Sequence, residues 1–426
     1  MLTTLRQRNF ALLWLGGLIS QTGDWLLQIG LPVYVYLLTG SALATSILFI
    51  VAFVPNILFG SVAGVFVDRW DRRRTMLIGN LLMAIGLLPL LLVHNKSSLW
   101  ILYPVIFFEA TVEQFTMSAQ NAFLPHLVSE EQLVTANSLN SVSSSVSRLA
   151  GGALGGILFA LFGLHTTIWL DLFSFLFVAA MLWLIKLPAQ APLVANQLVP
   201  EEASSELAAW KKLGAEWWEG IQLISRQAPL IVLFVMLAAQ SLGEGVFGIM
   251  LVIFVKQVLN GGAVVFGTLL AVQAVGSLLG GLVIGPFGKR LAPVRLLGVC
   301  TCLFGLIDLL IIDLPLFVKG GVLLVGLLFV LVGIPGVGAM VSTQTLFQTI
   351  VEDRLRGRIF GVRLAVGALM MLIGMMIAGL LGDRLGPVLL LNIQGSVYFL
   401  SGVLALLTLG GMLLKRQVMS RERVST

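Results

Sequence analysis

Long apolar runs alternate with short polar breaks along almost the whole chain. A helix needs roughly 20 apolar residues to cross the hydrocarbon core of a bilayer. Runs of about that length, separated by charged residues or by glycine and proline, occur twelve times. In chain order they cover residues 10–37, 43–67, 75–94, 99–122, 137–162, 165–187, 228–255, 263–286, 293–313, 319–345, 358–382 and 386–414. The pattern predicts an all-α membrane protein with twelve transmembrane helices.

The composition agrees with this prediction. Hydrophobic residues make up 58% of the 426 residues, and charged residues only 11%. In soluble domains roughly a quarter of the residues are charged. Most of the surface of this protein must therefore face lipid. The net charge of +6 does not indicate a nucleic-acid partner, because Lys and Arg occur in short clusters between apolar runs.

The positions of Lys and Arg predict the orientation. If the N-terminus is cytoplasmic, the inner segments hold twenty of these residues and the outer segments four, namely Lys96, Lys256, Lys319 and Arg384. Cytoplasmic loops carry the excess of positive charge, so we expect a multi-pass protein of the plasma membrane with both termini in the cytoplasm. We expect it to be monomeric. The three histidines are scattered in the sequence and predict no metal site, and we expect no cofactor.

A polar stretch at 188–227 divides the chain into two parts of six spans, at 1–187 and 228–426. Its second part has the helical spacing of an amphipathic helix on the inner membrane surface, although a plain charged linker fits as well. Similar short segments recur in the two parts, such as Ser118-Ala-Gln120 and Ser342-Thr-Gln344. Duplicated six-helix units are typical of secondary transporters that rock two bundles about a central site.

The segment after the second span carries a recognisable motif. It reads Gly64-Val-Phe-Val-Asp68-Arg69-Trp70-Asp71-Arg72-Arg73 and resembles the pattern G-x-x-x-D-R-x-G-R-R of the major facilitator superfamily. Asp71 replaces the glycine of the general pattern. Together with the stretches at 124–133, 344–348 and 357–360, this replacement resembles the branch of bacterial macrolide-efflux proteins.

The resemblance implies a fold of two pseudo-symmetric six-helix bundles and secondary transport without an enzymatic reaction. In the loop motif, the Asp68 carboxylate is expected to accept hydrogen bonds from the N-terminus of the eleventh span, as an anion does at a helix N-terminus. Alternatively, the charged loop only fixes the topology. The residues of this predicted conformational latch are Gly64, Asp68, Arg69, Arg72, Arg73, Arg356 and Arg358.

The fifth span contains a stripe of small residues that lets helices approach closely. Antiporter-type exporters of the superfamily often carry G-x8-G-x3-G-P-x-x-G-G there. This chain has serines at 138 and 147 and a glycine at the proline position, which weakens the implied export direction. The predicted packing residues are Ser147, Gly151, Gly152, Gly155 and Gly156.

Ionisable groups at mid-membrane cost about 2.5–3.5 kcal/mol each on insertion scales, so they are candidates for function. The candidates for proton or cation coupling are Asp24, Glu109, Glu113, Arg148 and Glu244. The polar residues expected to line a cavity are Gln21, Gln28, Gln120, Gln240 and Gln344. Each of these side chains could instead serve a structural hydrogen bond.

Glu109 and Glu113 lie four residues apart and therefore share one helical face. Two neighbouring carboxylates in an apolar medium do not readily ionise together, which is the behaviour that a proton-coupled carrier requires. Arg148 is the expected counter-charge of Asp24 or of one glutamate. Asp171 and Asp308 are expected to be structural, and Arg363 to reach the cytoplasmic interface.

The sequence therefore favours a proton-driven exporter of small amphipathic, drug-like molecules, with the proton gradient as energy source. A second interpretation is a facilitator, importer or exporter of a metabolite, lipid or siderophore. A membrane receptor or enzyme is the third, and it would need a catalytic constellation or a folded soluble domain. We find neither in the sequence.

Overall fold

The structure, a computed structural model, describes residues 2–185, 221–288, 291–318, 320–351, 355–410 and 412. Within these residues every regular element is helical, which confirms the predicted all-α class. After a short turn at Leu2–Leu5, the first helices are α1 (Arg8–Thr39), α2 (Ala42–Val67), α3 (Arg72–Gly86) and α4 (Leu102–Phe123). The later single helices are α7 (Ala228–Gln257), α8 (Ala263–Gly288), α9 (Pro293–Phe317) and α10 (Val322–Ile350).

Two further helical segments are each long enough for two membrane crossings. The segment Glu130–Leu184 is interrupted at Gly163 (φ 75°), and Arg356–Leu404 is interrupted at Gly386 (φ 76°). These positive φ angles are readily adopted by glycine alone, so each glycine ends one helix and begins another. We divide the segments into α5 (130–162), α6 (164–184), α11 (356–385) and α12 (387–404). The twelve helices α1 to α12 in the described residues are consistent with the twelve predicted spans.

Among the described residues, eight helical segments, counted before this division, are long and apolar enough to cross a membrane. The helices α1 and α4 fall outside that set, and they are also the helices that carry Asp24, Glu109 and Glu113. Their low hydrophobicity is compatible with a membrane because both helices line an internal cavity, described below.

The third span differs from its prediction. We expected one helix over 75–94, but α3 ends at Gly86 and a 3-10 turn follows at Leu88–Leu92. Pro89 lies in that turn. Proline has no N–H to donate and disfavours the α conformation of the preceding residue, which accounts for the change.

The apolar core is divided between the early and the late helices. Two clusters of buried side chains come only from residues 10–185, and a third comes only from residues 224–409. The largest cluster joins Ile29, Val33 and Tyr36 of α1 to side chains of α7 through α12. The inner face is defined here as the face at which α1 begins, cytoplasmic by the charge prediction, and the outer face is the opposite one. The predicted amphipathic helix within 188–227 lies outside the described residues, apart from 221–225, which are helical.

Candidate functional site

A large cavity lies between the early and the late helices. Its volume is about 790 Å³, which falls within the range of small-molecule sites. In the early part it is lined mainly by α1, α2, α3, α4 and α6, and in the late part mainly by α7, α8 and α11. The lining combines apolar and aromatic side chains with a small number of carboxylates and amides.

Four carboxylates line the early side of this cavity: Asp24 of α1, Glu109 and Glu113 of α4, and Asp171 of α6. We call this group the acidic quartet. The charges of the other three members all lie within electrostatic range of Asp24. Sequence spacing placed Glu109 and Glu113 on one face, but only the packing of three helices brings Asp24 and Asp171 beside them.

Close helix packing positions the quartet. Gly86 of α3 leaves room for Glu109, because a Cβ atom at Gly86 would approach Glu109 Oε1 to 2.5 Å. Gly23 of α1 leaves room in the same way for Asp171, which accepts a hydrogen bond from Ser174 Oγ at 3.2 Å. Asp171 was expected to be structural, and the structure instead places it in the cavity wall.

The members of the quartet differ in their surroundings. Both carboxylate oxygens of Glu109 are shielded from solvent and have no hydrogen-bond partner among the described residues. The side chain of Glu113, one turn further along α4, is exposed to the cavity. One face of α4 therefore carries a shielded carboxyl group next to an accessible one.

Three of the predicted cavity amides line the cavity: Gln21, Gln28 and Gln120. Gln21 Oε1 accepts a hydrogen bond from Ser144 Oγ of α5 at 2.9 Å. The structure places Gln344 elsewhere, since its Oε1 accepts a hydrogen bond from Arg363 Nη1 at 2.6 Å. Gln240 is also outside the lining, and its buried Nε2 has no partner among the described residues.

The two basic side chains Arg148 and Arg363 do not lie where the sequence predicted. Arg148 is absent from the cavity lining and forms no ion pair with a described carboxylate, so the structure does not support its role as counter-charge. Arg363 does not simply extend to the interface. Its guanidinium lies over the rings of Phe347 and Phe360, at 4.8 and 5.6 Å from their centroids, which fixes α11 against α10.

The late side of the cavity has a smaller polar group. Glu244 of α7 accepts a hydrogen bond from the hydroxyl of Tyr398 at 3.0 Å, and Gln394 donates one to the buried Asp308 at 2.8 Å. Glu244 and Gln394 line the cavity. The prediction missed Gln394 and Tyr398, although a sequence signal existed: they lie four residues apart in an otherwise apolar span and so share a helical face.

The loop motif is folded back on the early helices. The Asp71 side chain caps the N-terminus of α3 by accepting a hydrogen bond from the Arg74 backbone N–H at 2.7 Å, which gives this departure from the general pattern a local role. Arg73 donates two hydrogen bonds, both 2.8 Å long, to backbone carbonyls at the end of α6. Asp68 is exposed and makes no hydrogen bond to α11 among the described residues, so the predicted latch is not formed in this structure.

The small residues of α5 contact two neighbours. Ser147, Gly151 and Gly155 lie against α1, where Ser147 Oγ donates to the Leu18 carbonyl at 3.0 Å. Gly152 and Gly156 lie against the backbone of α8. Because α5 and α8 come from different parts of the chain, the stripe forms part of the contact between the early and late helices.

The contacts between the early and late helices lie toward the outer face. Gly156 near the outer end of α5 meets Ala263 at the start of α8. Ser46 Oγ of α2 donates to the Met375 carbonyl of α11 at 2.6 Å, and Gln257 donates to the Tyr36 hydroxyl at 2.7 Å. The cavity is therefore closed toward the outer face and open toward the inner face.

A solved transporter structure has the same arrangement of helices. The chain superposes on a bacterial homologue of the iron transporter ferroportin in its inward-facing state with a TM-score of 0.73, at 16% identity, over 94% of this chain and 98% of that one. The two chains therefore share a fold. Residues 1–410 match the transmembrane secretion effector family of major facilitator transporters, and the chain belongs to that family.

Two curated relatives give a finer comparison. Macrolide efflux protein A of Streptococcus pyogenes is 25% identical over 394 residues, which is 89% of this chain and 90% of the relative. The staphyloferrin A transporter of Staphylococcus aureus is 23% identical over 377 residues, or 88% of this chain and 89% of the relative. The protein is therefore a multi-pass membrane transporter.

Proposed function

We propose that this transporter is a proton-coupled exporter of amphipathic, drug-like molecules that works by alternating access. The observation that carries the proposal is the acidic quartet in the wall of a 790 Å³ cavity. Charged groups inside a membrane protein mark substrate or ion pathways. The similarity to a macrolide efflux protein supports the direction and the substrate class.

The quartet fits proton coupling for an electrostatic reason. Four carboxylates that line one wall of a cavity between membrane-spanning helices do not all ionise at once, and no described basic side chain forms an ion pair with them. Glu109, with both oxygens shielded, is expected to hold a proton. Glu113 reaches the cavity, so it is the group we expect to exchange protons as access alternates.

The rest of the cavity fits an amphipathic substrate. Its late wall presents rings and thioethers, from Phe247, Phe266, Phe304, Met371 and Met375, around the single carboxylate Glu244. Methionine and aromatic side chains adapt to apolar ligands of varied shape. We further propose that the chain acts as a monomer in the plasma membrane, with both termini cytoplasmic and bundles 1–187 and 228–426 joined by 188–227.

Transport of a radiolabelled macrolide into everted vesicles with an acidic interior tests the coupling. Glu113→Gln is expected to lose most of the gradient-driven uptake and to retain exchange of labelled for unlabelled substrate, because exchange needs no net proton movement. Glu131→Gln, an exposed glutamate at the inner start of α5, is the matched control. Gradient-driven uptake by Glu113→Gln equal to wild type would overturn the role of Glu113.

A second candidate is uncoupled or inward transport of a metabolite, lipid or siderophore, favoured by the similarity to the staphyloferrin A transporter. Four carboxylates in the wall disfavour anionic substrates, which is why we place this candidate second. Counterflow in liposomes with and without a pH gradient separates the two, since a facilitator is indifferent to the gradient.

A further inference from the structure

The outer end of α11 makes a hydrogen-bonded contact with the start of α2. Asp383 Oδ1 accepts a hydrogen bond from the backbone N–H of Ala42 at 2.8 Å, and its Oδ2 lies 3.4 Å from the Ser41 hydroxyl. Ser41 Oγ accepts a hydrogen bond from a second N–H of the same helix, that of Ala44, at 3.3 Å. The N-terminus of α2 is therefore capped from two sides, once by its own chain and once across the contact between the early and late helices.

The surrounding packing shows that this contact belongs to the closed outer side. Gly382 and Gly379, next to Asp383 on α11, lie directly against Ala42 and Ser46 of α2. Asp383 itself is exposed at the outer rim. When the contact opens, water can therefore replace the α2 N–H as the hydrogen-bond partner of Asp383. The cap thus stabilises the closed outer side without preventing it from opening.

The same two helices carry a matching carboxylate at the opposite face. Asp68 follows the last residue of α2, and Asp383 lies in the last turn of α11. Each is followed by an arginine, as Asp68-Arg69 and Asp383-Arg384. Because α2 and α11 run in opposite directions, the C-terminal carboxylate of each lies at the membrane face where the other helix begins.

We propose that Asp383 is a positioning residue for transport, the outer counterpart of Asp68, and that the two carboxylates cap each other's helices in alternation. In this structure the outer cap is formed and Asp68 is exposed. When the outer side opens, Asp383 releases α2 and Asp68 caps the start of α11. The inference rests on the alternating access proposed above, and it is tested without any substrate.

The test is labelling of a reporter cysteine from the outer side. Cys300 and Cys302 are replaced by alanine, and Ala263→Cys is introduced, because Ala263 is buried in the outer contact between α8 and α5. A membrane-impermeant maleimide on intact cells reaches this position only when the outer side opens. Replacing a capping side chain by alanine corresponds to about a five-fold change in an equilibrium constant, so Asp383→Ala is expected to speed labelling about five-fold.

Three further variants make the result specific. Asp313→Ala is the matched control, since Asp313 accepts a hydrogen bond from Asn392 at 2.8 Å within the late helices, and its labelling should equal that of the parent. Asp68→Ala should slow labelling, and the Asp68→Ala/Asp383→Ala double variant should return it toward the parent rate.

Unchanged labelling in Asp383→Ala, or an equal increase in Asp313→Ala, overturns the proposal. Asp383→Leu serves the same purpose if the alanine variant does not accumulate in the membrane. Absence of macrolide transport by the parent protein, together with the expected labelling pattern, would count against the proposed substrate and leave the alternating caps intact.

Discussion

Gly156 of α5 lies directly against the start of α8 on the outer side of the cavity. A Cβ atom at this position would overlap the carbonyl group of Ala263 and come within 2.9 Å of Val264 Cα. Gly156→Ala therefore forces apart two helices that touch in the inward-open state. Overpacking of this kind destabilises the conformation in which the helices touch by about 1–3 kcal/mol.

The cost acts on one conformation only, because the two helices separate when the outer side opens. A destabilisation of the inward-open state by about 1–3 kcal/mol shifts the equilibrium toward the outward-open state by about five-fold to more than a hundred-fold. The substitution adds only one methyl group and favours helix formation, so we expect the fold itself to persist.

Pulsed electron paramagnetic resonance measures this shift. Spin labels at positions 131 and 348, exposed residues at the inner ends of α5 and α10, report the width of the inner opening. In Gly156→Ala the population with the shorter distance should increase. Gly281→Ala is the control, since a Cβ atom at Gly281 of α8 meets no other atom within 4 Å. An unchanged distance distribution, or the same change in the control, would refute the reasoning.

Three stability predictions concern other contacts and are measured by thermal unfolding in detergent. Arg363→Gln removes the hydrogen bond to Gln344 and the stacking on two rings, and should lower the free energy of unfolding by about 1–2 kcal/mol. An unchanged unfolding midpoint would show that the contact does not stabilise the fold. Asp71→Ala removes the cap of α3 and should lower the free energy of unfolding by about 1 kcal/mol, whereas Asp71→Asn should be nearly neutral. Gly386→Ala places a side chain at φ 76° and ψ 162°, a region adopted essentially by glycine alone, and should lower the free energy of unfolding by about 1–3 kcal/mol; stability equal to wild type would contradict the assigned turn.

Much of the fold could be predicted because the bilayer imposes a simple length rule. Backbone polar groups in lipid must be paired within a helix, so runs of about 20 apolar residues translate directly into α1 through α12. The errors arise where local chemistry overrides hydrophobicity, as at Pro89, which turns the end of the third span into a 3-10 turn.

The candidate site was only partly predictable. Helical spacing places Glu109 and Glu113 on one face of α4, and the cost of burying charge marks Asp24 and Glu244 as unusual. Spacing within one helix says nothing about which helix lies opposite. For this reason Asp171 was assigned to the periphery although it lines the cavity, and Arg148 was assigned to the cavity although it lies outside the lining.

The sequence by itself determined the helical class and the family, because each depends on local hydrophobicity or on one contiguous motif, and it predicted twelve spans, with which the structure is consistent. The tertiary structure decided which polar groups meet. The acidic quartet joins three helices, the Glu244–Tyr398 bond joins two that are 154 residues apart, and the Asp383 contact spans 341. Such contacts follow from how helices pack in three dimensions, and in lipid that packing depends on small residues and shape more than on the periodic pattern of one chain.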